Sequence, residues 1–124
     1  MENAVTLVDT VTAFFAAGAT GDLDALTEFF AEDAIWDNRI DNDPMGGLYE
    51  GRDAIRTELL ELLFQFLPNG ITTTIERIIE SGNTVVCLNT GYGTTVEGQQ
   101  FTKRYAHIFD FRNGVVTRVT EFRA

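Results

Sequence analysis

Lysine and cysteine are almost absent from this chain of 124 residues. Lys103 is the only lysine and Cys87 the only cysteine, which excludes an intrachain disulfide framework and a cysteine cluster for structural zinc. The apolar neighbours Val85, Val86 and Leu88 predict that Cys87 is a buried structural thiol. Proline is scarce too, with two residues, while 44% of the chain is hydrophobic and 11% aromatic. This composition favours one globular domain over a linker or tail.

Basic residues are also few. Nine basic residues stand against 19 acidic ones, which gives a net charge of −10 at pH 7. Such a surface repels the phosphates of nucleic acids and anionic lipids, and it lacks the basic stripe of nucleic-acid binders. No apolar run approaches the roughly 20 residues that cross a bilayer, and the first residues lack the basic region of a signal peptide. We therefore expect a cytoplasmic protein without nucleic-acid or membrane partners.

The first half of the chain has the apolar spacing of helices. One helix is predicted around residues 7–15 and ends at the glycines of residues 18–21. A short strand over residues 34–38 and a polar loop over residues 39–47 are predicted further along. Between them, Asp22 caps a second helix whose apolar residues share one face: Leu23, Leu26, Phe29 and Phe30.

A third helix is predicted over residues 52–67. Pro68, Asn69 and Gly70 follow it and are typical of a helix end. Its inward face is expected to carry apolar residues at helical spacing: Ile55, Leu59, Leu62, Leu63 and Phe66.

The second half of the chain alternates with a period of two residues. Gly91 and Gly93 lie inside one predicted strand and indicate a bend or a bulge there. Helices followed by strands joined by short turns, without βαβ alternation, predict an α+β fold with the helices on one face of a curved antiparallel sheet. The strands are predicted over four segments: residues 71–80, 84–96, 99–111 and 115–123.

Three segments then point to a known superfamily. They are FFAEDA at residues 29–34, YEGRDAI at residues 49–55 and YAHIF at residues 105–109, before a glycine turn. Their order resembles the nuclear transport factor 2 superfamily, in its branch of SnoaL-like polyketide cyclases, ketosteroid isomerases and limonene epoxide hydrolases. The resemblance implies a single SnoaL-like domain over residues 1–124. It also implies a cone-shaped, cystatin-like α+β roll, in which three N-terminal helices pack on a strongly curved, mainly antiparallel sheet and roof an apolar pocket.

The catalytic groups of ketosteroid isomerase are not matched. The general-base aspartate of that enzyme falls at Asn38, its oxyanion-hole tyrosine at Phe14, and its oxyanion-hole aspartic acid at His107. An amide does not abstract protons and a phenyl ring has no hydroxyl to donate. Steroid isomerisation by that mechanism is therefore rejected.

Limonene epoxide hydrolase is matched in part. Trp36 and Asn38 resemble its aromatic-x-asparagine motif, which helps to hold the catalytic water, and Glu121 falls at its water-activating aspartate. Its arginine and second aspartate fall at Asn89 and Gly91, so the epoxide oxygen would lose its acid.

The site residues of this sequence fit SnoaL-like cyclases better than the other two enzymes. In them an acidic residue on the last strand acts as the general acid or base, usually near a histidine on the long strand. Glu121 and His107 fit this pattern, with glutamate in place of the usual aspartate.

The turn after the long strand decides whether His107 and Glu121 share a face of the sheet. A two-residue turn at residues 113–114 would send Glu121 to the opposite side. A three-residue loop at residues 112–114 would pair Tyr105 with Glu121 and make His107 the diagonal neighbour of Glu121. We expect this second register, which the family resemblance favours and which alone gathers these apolar side chains on one face: Phe109, Phe111, Val115 and Val119.

These residues predict a small enzyme, without cofactor or metal, that transfers protons on a hydrophobic, oxygenated molecule. Cyclisation, isomerisation, dehydration and epoxide opening all suit such a site. Glu121 is the predicted base, and His107 orients it or polarises the substrate. The remaining pocket residues are predicted to bind the substrate: Trp36, Asn38, Tyr105, Phe14, Val119 and Leu59.

Structural roles are the alternatives for the same residues. His107 could be a hydrogen-bonded core residue, and Glu121 a rim carboxylate paired with Arg123 or Arg104. The acidic residues 37–43 are predicted to form a solvated loop, because they lack the ligand spacing of a calcium loop.

A non-catalytic binding or assembly module of the same fold is the alternative function. The outer face of the sheet mixes charged and apolar residues, and family members commonly pair through it. We therefore expect a homodimer through that face, which carries Arg104, Arg118, Ile108 and Phe122.

Overall fold

The structure, a computed structural model that describes residues 5–123, places helices before strands along the chain. The ends of the predicted 1–124 domain, residues 1–4 and 124, lie outside the described part. Within it, no helix is long and apolar enough to cross a membrane. We number the helices α1, at Leu7–Thr20, α2, at Leu23–Thr27, and α3, which joins three consecutive helical stretches: Arg52–Ala54, the π-helical Ile55–Leu60 and Glu61–Phe66.

Six strands form one sheet in the order β2-β1-β6-β5-β4-β3. All neighbours are antiparallel except β1 and β6, which run parallel. The helices cover one face, so the expected α+β roll with a mainly antiparallel sheet is confirmed. The strands are β1 Phe30–Asn38, β2 Gly47–Glu50, β3 Thr72–Ser81, β4 Thr84–Thr94, β5 Gln100–Arg112 and β6 Val115–Arg123.

The beginnings of α1 and α2 follow from local sequence. Thr6 and Asp9 form a capping box, in which the Thr6 hydroxyl accepts the Asp9 N–H at 3.0 Å and the Asp9 carboxylate accepts the Thr6 N–H at 3.2 Å. Asp22 caps α2 as predicted, through the N–H of Ala25 at 3.1 Å. Cys87 is fully buried, as expected.

The second helix is shorter than predicted, because strand pairing takes over its apolar end. α2 ends at Thr27, and Phe29 and Phe30 lie outside it. Phe30 begins β1 and pairs with Val116 of β6, whose N–H donates to the Phe29 carbonyl at 2.9 Å. The short strand β2, which begins within the predicted loop and extends beyond it, was not expected from the sequence.

The buried face of α3 differs from the predicted one after its π-helical stretch. Ile55 and Leu59 are buried as expected, and Leu60 joins them. Leu62 is 49% exposed and Phe66 43% exposed, although both were predicted to face inward. A π-helical turn holds more residues than an α-helical one, so it rotates the following residues away from the expected face.

The two glycines of β4 do not mark a bulge, so that one of the two sequence expectations, a bend or a bulge, is wrong. Pairing between β4 and β5 is continuous through Gly91 and Gly93, and the irregularity in this part of the sheet lies in β3, after Ile75. A Cβ atom on Gly91 would lie 2.6 Å from Ile71 Cδ1, and one on Gly93 would lie 3.1 Å from Leu67 Cδ2. These glycines let the segment after α3 approach the sheet closely.

Gly70 is a position where replacement should be costly. Its φ is +85°, and a Cβ atom there would lie 2.6 Å from the Gly18 carbonyl oxygen and 2.9 Å from that of Ala19. Gly98 has nearly the same φ, +84°, with nothing within 4 Å of a Cβ atom. We expect Gly70→Ala to lower the free energy of unfolding by about 2–4 kcal/mol, and Gly98→Ala by about 1 kcal/mol, because only the first adds a backbone collision. Equal losses in urea denaturation would contradict this packing.

The acidic residues 37–43 are less solvated than predicted. The Asp37 carboxylate accepts two hydrogen bonds from Arg39, both at 3.0 Å, and one from Arg118 at 2.7 Å. The bond from Arg39, with that from Arg118 beside it, holds the pKa of Asp37 below its usual value, although burial acts in the opposite direction. Asp43 pairs with Arg123. The two carboxylates therefore join the loop region to β6.

The outer face of the sheet carries an exposed aromatic ring among paired charges. Phe122 is 54% exposed, while Arg104 pairs with Glu76 and Arg118 with Asp37. The homodimer expected through this face remains a prediction.

Candidate functional site

A cavity of about 410 Å³ lies between the helices and the inner face of the sheet. Most of its polar residues converge on one part of it: Asn38, Asn89, Tyr105, His107 and Glu121. An apolar cleft with a few placed polar groups is the usual form of a small-molecule site. Most of its wall is apolar, including Phe14, Phe15, Leu59, Leu63, Phe66 and Phe101.

The turn between β5 and β6 differs from the register expected. It has two residues, Asn113 and Gly114, both with positive φ (53° and 80°), as in a type I′ hairpin turn. A bulge follows at once. Phe111 pairs with Val116 in the register of the turn, whereas Asp110, the residue before it, pairs with Arg118. The Thr117 hydroxyl donates to the Asp110 carbonyl at 3.1 Å beside this irregularity.

The bulge brings His107 directly opposite Glu121. The predicted three-residue loop is therefore wrong, and so is the pairing of Tyr105 with Glu121, because Tyr105 lies opposite Arg123. The turn and the bulge together move the partner of His107 by two residues, from the predicted Val119 to Glu121. Because side chains alternate with a period of two, His107 and Glu121 stay on one face. Bulges commonly re-aim side chains next to functional sites.

A buried hydrogen-bond chain runs from β4 through β5 to β6. His107 Nε2 lies 2.8 Å from Glu121 Oε1, and His107 Nδ1 lies 2.8 Å from Asn89 Nδ2. The Asn89 amide also donates to the Cys87 carbonyl at 3.3 Å. Only 6% of the His107 side chain and 12% of the Glu121 side chain are exposed.

The partners in this hydrogen-bond chain define the direction of each bond. The Cys87 carbonyl can only accept, so the Asn89 group that faces it is the NH₂. That NH₂ also faces His107 Nδ1, which must then accept, and the ring hydrogen sits on Nε2. His107 therefore donates from Nε2 to the Glu121 carboxylate.

The tautomer of His107 can be measured directly, because it is the only histidine. We expect long-range ¹H–¹⁵N correlation spectra at neutral pH to show a protonated Nε2 and an unprotonated Nδ1. In Asn89→Asp the group facing Nδ1 can only accept, so we expect Nδ1 to become protonated. A wild-type spectrum with the hydrogen on Nδ1 would contradict these bond directions.

The structural alternative for Glu121 is not supported, since both of its suggested partners are engaged elsewhere. Arg123 pairs with Asp43, and Arg104 pairs with Glu76. Glu121 uses Oε1 for His107, and no hydrogen bond to Oε2 is found among residues 5–123. The carboxylate is thus held by one oxygen while its residue lines the cavity.

Five of the six predicted substrate-binding residues line the cavity: Trp36, Asn38, Tyr105, Phe14 and Leu59. Val119 does not, which corrects its assignment. It is 0% exposed and lies between its strand partners Trp36 and Phe109, in the core behind the cavity wall.

Two polar atoms on β1 are buried without a partner among the described residues, Trp36 Nε1 and Asn38 Oδ1. A buried donor and acceptor left in this way favour a polar occupant nearby. Burial, and then the Glu121 carboxylate, raises the pKa of Tyr105, whose ring centre lies 5.1 Å from that of His107. Its hydroxyl therefore stays protonated and is available as a hydrogen-bond donor.

Neither the role of Asn89 nor the contribution of the predicted loop, residues 39–47, to the cavity wall was predicted from the sequence. Asn89 is the polar member of an otherwise apolar alternation on β4, which is a detectable signal. Pro44 and Met45 line the cavity, and Tyr49 donates to the Met45 carbonyl at 2.6 Å. Among residues 5–123, no group of three or more His, Cys, Asp or Glu side chains is placed to hold a metal ion.

Residues 11–119 match the family model of the SnoaL-like domain. No curated protein matches the chain. Solved structures that resemble it include an NTF2-like protein of unknown function from Burkholderia pseudomallei, with a TM-score of 0.80 and 22% identity over 95% of this chain and 90% of that one.

Two further solved structures resemble the chain to a similar degree. TerC, co-crystallised with polyporic acid, has a TM-score of 0.79 and 22% identity over 95% of this chain and 91% of its own. A cystatin-fold protein from Novosphingobium aromaticivorans has a TM-score of 0.77 and 21% identity over 97% of this chain and 100% of its own. At these identities the likeness shows the fold, which is the expected cystatin-like roll.

Proposed function

This chain belongs to the SnoaL-like domain family and has the fold of NTF2-like and ketosteroid isomerase-like proteins, and on that premise we propose that it is a proton-transfer enzyme. Its substrate is a hydrophobic, oxygenated small molecule bound in the cavity. The observation that carries the proposal is the Glu121 carboxylate, held at 2.8 Å by His107 at the wall of an apolar cavity.

Glu121 is the base in this proposal. A base that is held in position beside the substrate contributes about 10²–10⁴ in rate. The bond from His107 Nε2 occupies Oε1, so the proton is taken by Oε2. Asn89 fixes the His107 tautomer and acts as a positioning residue.

The proposed reaction begins at a carbon next to a carbonyl group. Oε2 of Glu121 removes a proton from that carbon, and the electron pair of the C–H bond moves onto the carbonyl oxygen as an enolate forms. The neutral Tyr105 hydroxyl is the candidate donor to that oxygen, and the unpartnered Trp36 Nε1–H is a second. In an isomerisation, Glu121 then returns the proton to a different atom of the enolate. In a cyclisation, the enolate carbon first bonds to a second carbonyl carbon of the same substrate, the π electrons of that carbonyl move onto its oxygen, and Glu121 gives the proton to this oxygen.

A small organic ligand is supported by the cavity and by one structural neighbour. The volume of about 410 Å³ falls within the usual range for small-molecule sites. TerC, which shares the fold, was co-crystallised with polyporic acid.

Hydrogen exchange tests the proposal before the natural substrate is known. A panel of cyclic ketones, diketones and polyketide-like compounds is incubated with the protein in D₂O, and deuterium uptake is followed by mass spectrometry. We expect uptake next to the carbonyl above the rate in buffer for the compounds that bind. Binding without any uptake across the panel would contradict the proposal and favour the non-catalytic binding module.

A further inference from the structure

The only lysine of the chain lines the cavity. Lys103 is half-buried on β5, on the same face as Tyr105 and His107, and its Nζ lies 5.3 Å from the centre of the Phe101 ring. It is one of few charged residues in the cavity wall, the others being Asp43 and Glu121.

The charge of Lys103 is not neutralised by a neighbour. Among residues 5–123, none of the ion pairs includes it. Asp43 pairs with Arg123, and Glu121 hydrogen-bonds to His107. A cation on the wall of an apolar cavity, in a protein of net charge −10, is therefore placed to attract an anionic group that most of this molecule repels.

We propose that Lys103 binds the carboxylate of an elongated, apolar substrate whose carbonyl end lies at Glu121. This inference rests on the proposed function and adds the class of substrate to it. His107 lies four positions after Lys103 along an extended strand, which places the two backbone positions about 13 Å apart. The substrate is therefore elongated, with its anionic group and its reacting carbon at opposite ends.

A carboxylate fits this end of the cavity better than a phosphate. One ammonium neutralises the single charge of a carboxylate, whereas a phosphate with a charge of about −1.5 to −2 would keep part of its charge uncompensated beside an apolar wall. The apolar body of the substrate would lie along the half-exposed rings and side chains near the mouth, Phe66, Leu62 and Phe101.

Trp36 reports whether the cavity is occupied, because it is the only tryptophan and lines the wall. We would titrate decanoate and decanol, which differ in charge but match in chain length, and follow Trp36 fluorescence. We expect decanoate to bind the wild type about fivefold more tightly than decanol, as one partly exposed ion pair provides.

Matched variants separate Lys103 from the general effect of charge. Lys103→Met should remove the preference for decanoate, and Lys103→Arg should retain it. Arg104→Met changes the net charge equally on the outer face and should leave the preference intact. Equal affinity for both probes in the wild type, no binding of either, or a preference that survives in Lys103→Met would overturn the inference.

This test and that of the proposed function can fail separately. Glu121→Gln should keep the preference for decanoate, since Glu121 does not contact the anionic end. Loss of the preference in Lys103→Met alone supports the substrate class even where no deuterium exchange is found.

Discussion

Replacing Glu121 with glutamine should lower the rate of deuterium uptake into a bound ketone by about 10²–10⁴-fold. The amide has the size of the carboxylate, and its oxygen can still accept from His107 Nε2, so the hydrogen-bond chain and the fold are kept. It has no basic oxygen with which to take a proton, and the loss should therefore appear in kcat with little change in KM.

Glu76→Gln is the matched control for this variant. Glu76 lies on β3, pairs with Arg104 and does not line the cavity. The same chemical change there should leave exchange at the wild-type rate. Unchanged exchange in Glu121→Gln, with binding intact, would remove Glu121 from the proposed mechanism.

Replacing Phe14 with alanine should lower the free energy of unfolding by about 3–5 kcal/mol. Its buried ring lies at the centre of an aromatic cluster, with ring centres between 5.5 and 6.3 Å away. Most of these pairs have the edge-to-face geometry that stabilises aromatic packing beyond area alone. The neighbours are Phe15, Phe29, Phe30, Trp36 and Phe109.

Phe66→Ala is the control for this second variant. Phe66 is half-exposed at the cavity mouth and makes one aromatic contact, with Phe101 at 6.0 Å. We expect this variant to lower the free energy of unfolding by about 1 kcal/mol, because the half-exposed ring buries little apolar area in the wild type. Urea denaturation followed by Trp36 fluorescence compares the two. A loss for Phe14→Ala no larger than that for Phe66→Ala would contradict the position of this cluster in the core.

Much of the fold is encoded locally, and that part could be predicted. Asp22 caps a helix through its own side chain, and the period-two pattern of the second half sets the strands within a few residues. The prediction errors arise where pairing between residues that are far apart in the sequence determines the secondary structure. Phe29 and Phe30 have helical spacing, yet pairing with β6 draws Phe30 into a strand. No local sequence pattern indicates the π-helical stretch, which places Leu62 on the exposed side of the helix.

The shared face of His107 and Glu121 was predicted correctly, but from a wrong turn. Alternation left two registers open, and the expected one relied on a three-residue loop; the observed two-residue turn keeps both residues on one face only because of the bulge near Asp110, which also aligns them directly. Asn89 reaches His107 only because β4 pairs with β5 in one register, which the sequence does not specify. Val119 has the right parity for the pocket but lies deeper, where Trp36 and Phe109 enclose it.

A crystal structure with an exchanging ketone bound tests the central claim most directly. We predict that the ketone occupies the cavity, with its exchanging carbon about 3–3.5 Å from Oε2 of Glu121. His107 should still bind Oε1, as it does at 2.8 Å in the free protein. A ketone bound outside the cavity, or one whose exchanging carbon faces away from Glu121, would contradict the proposed role of this carboxylate.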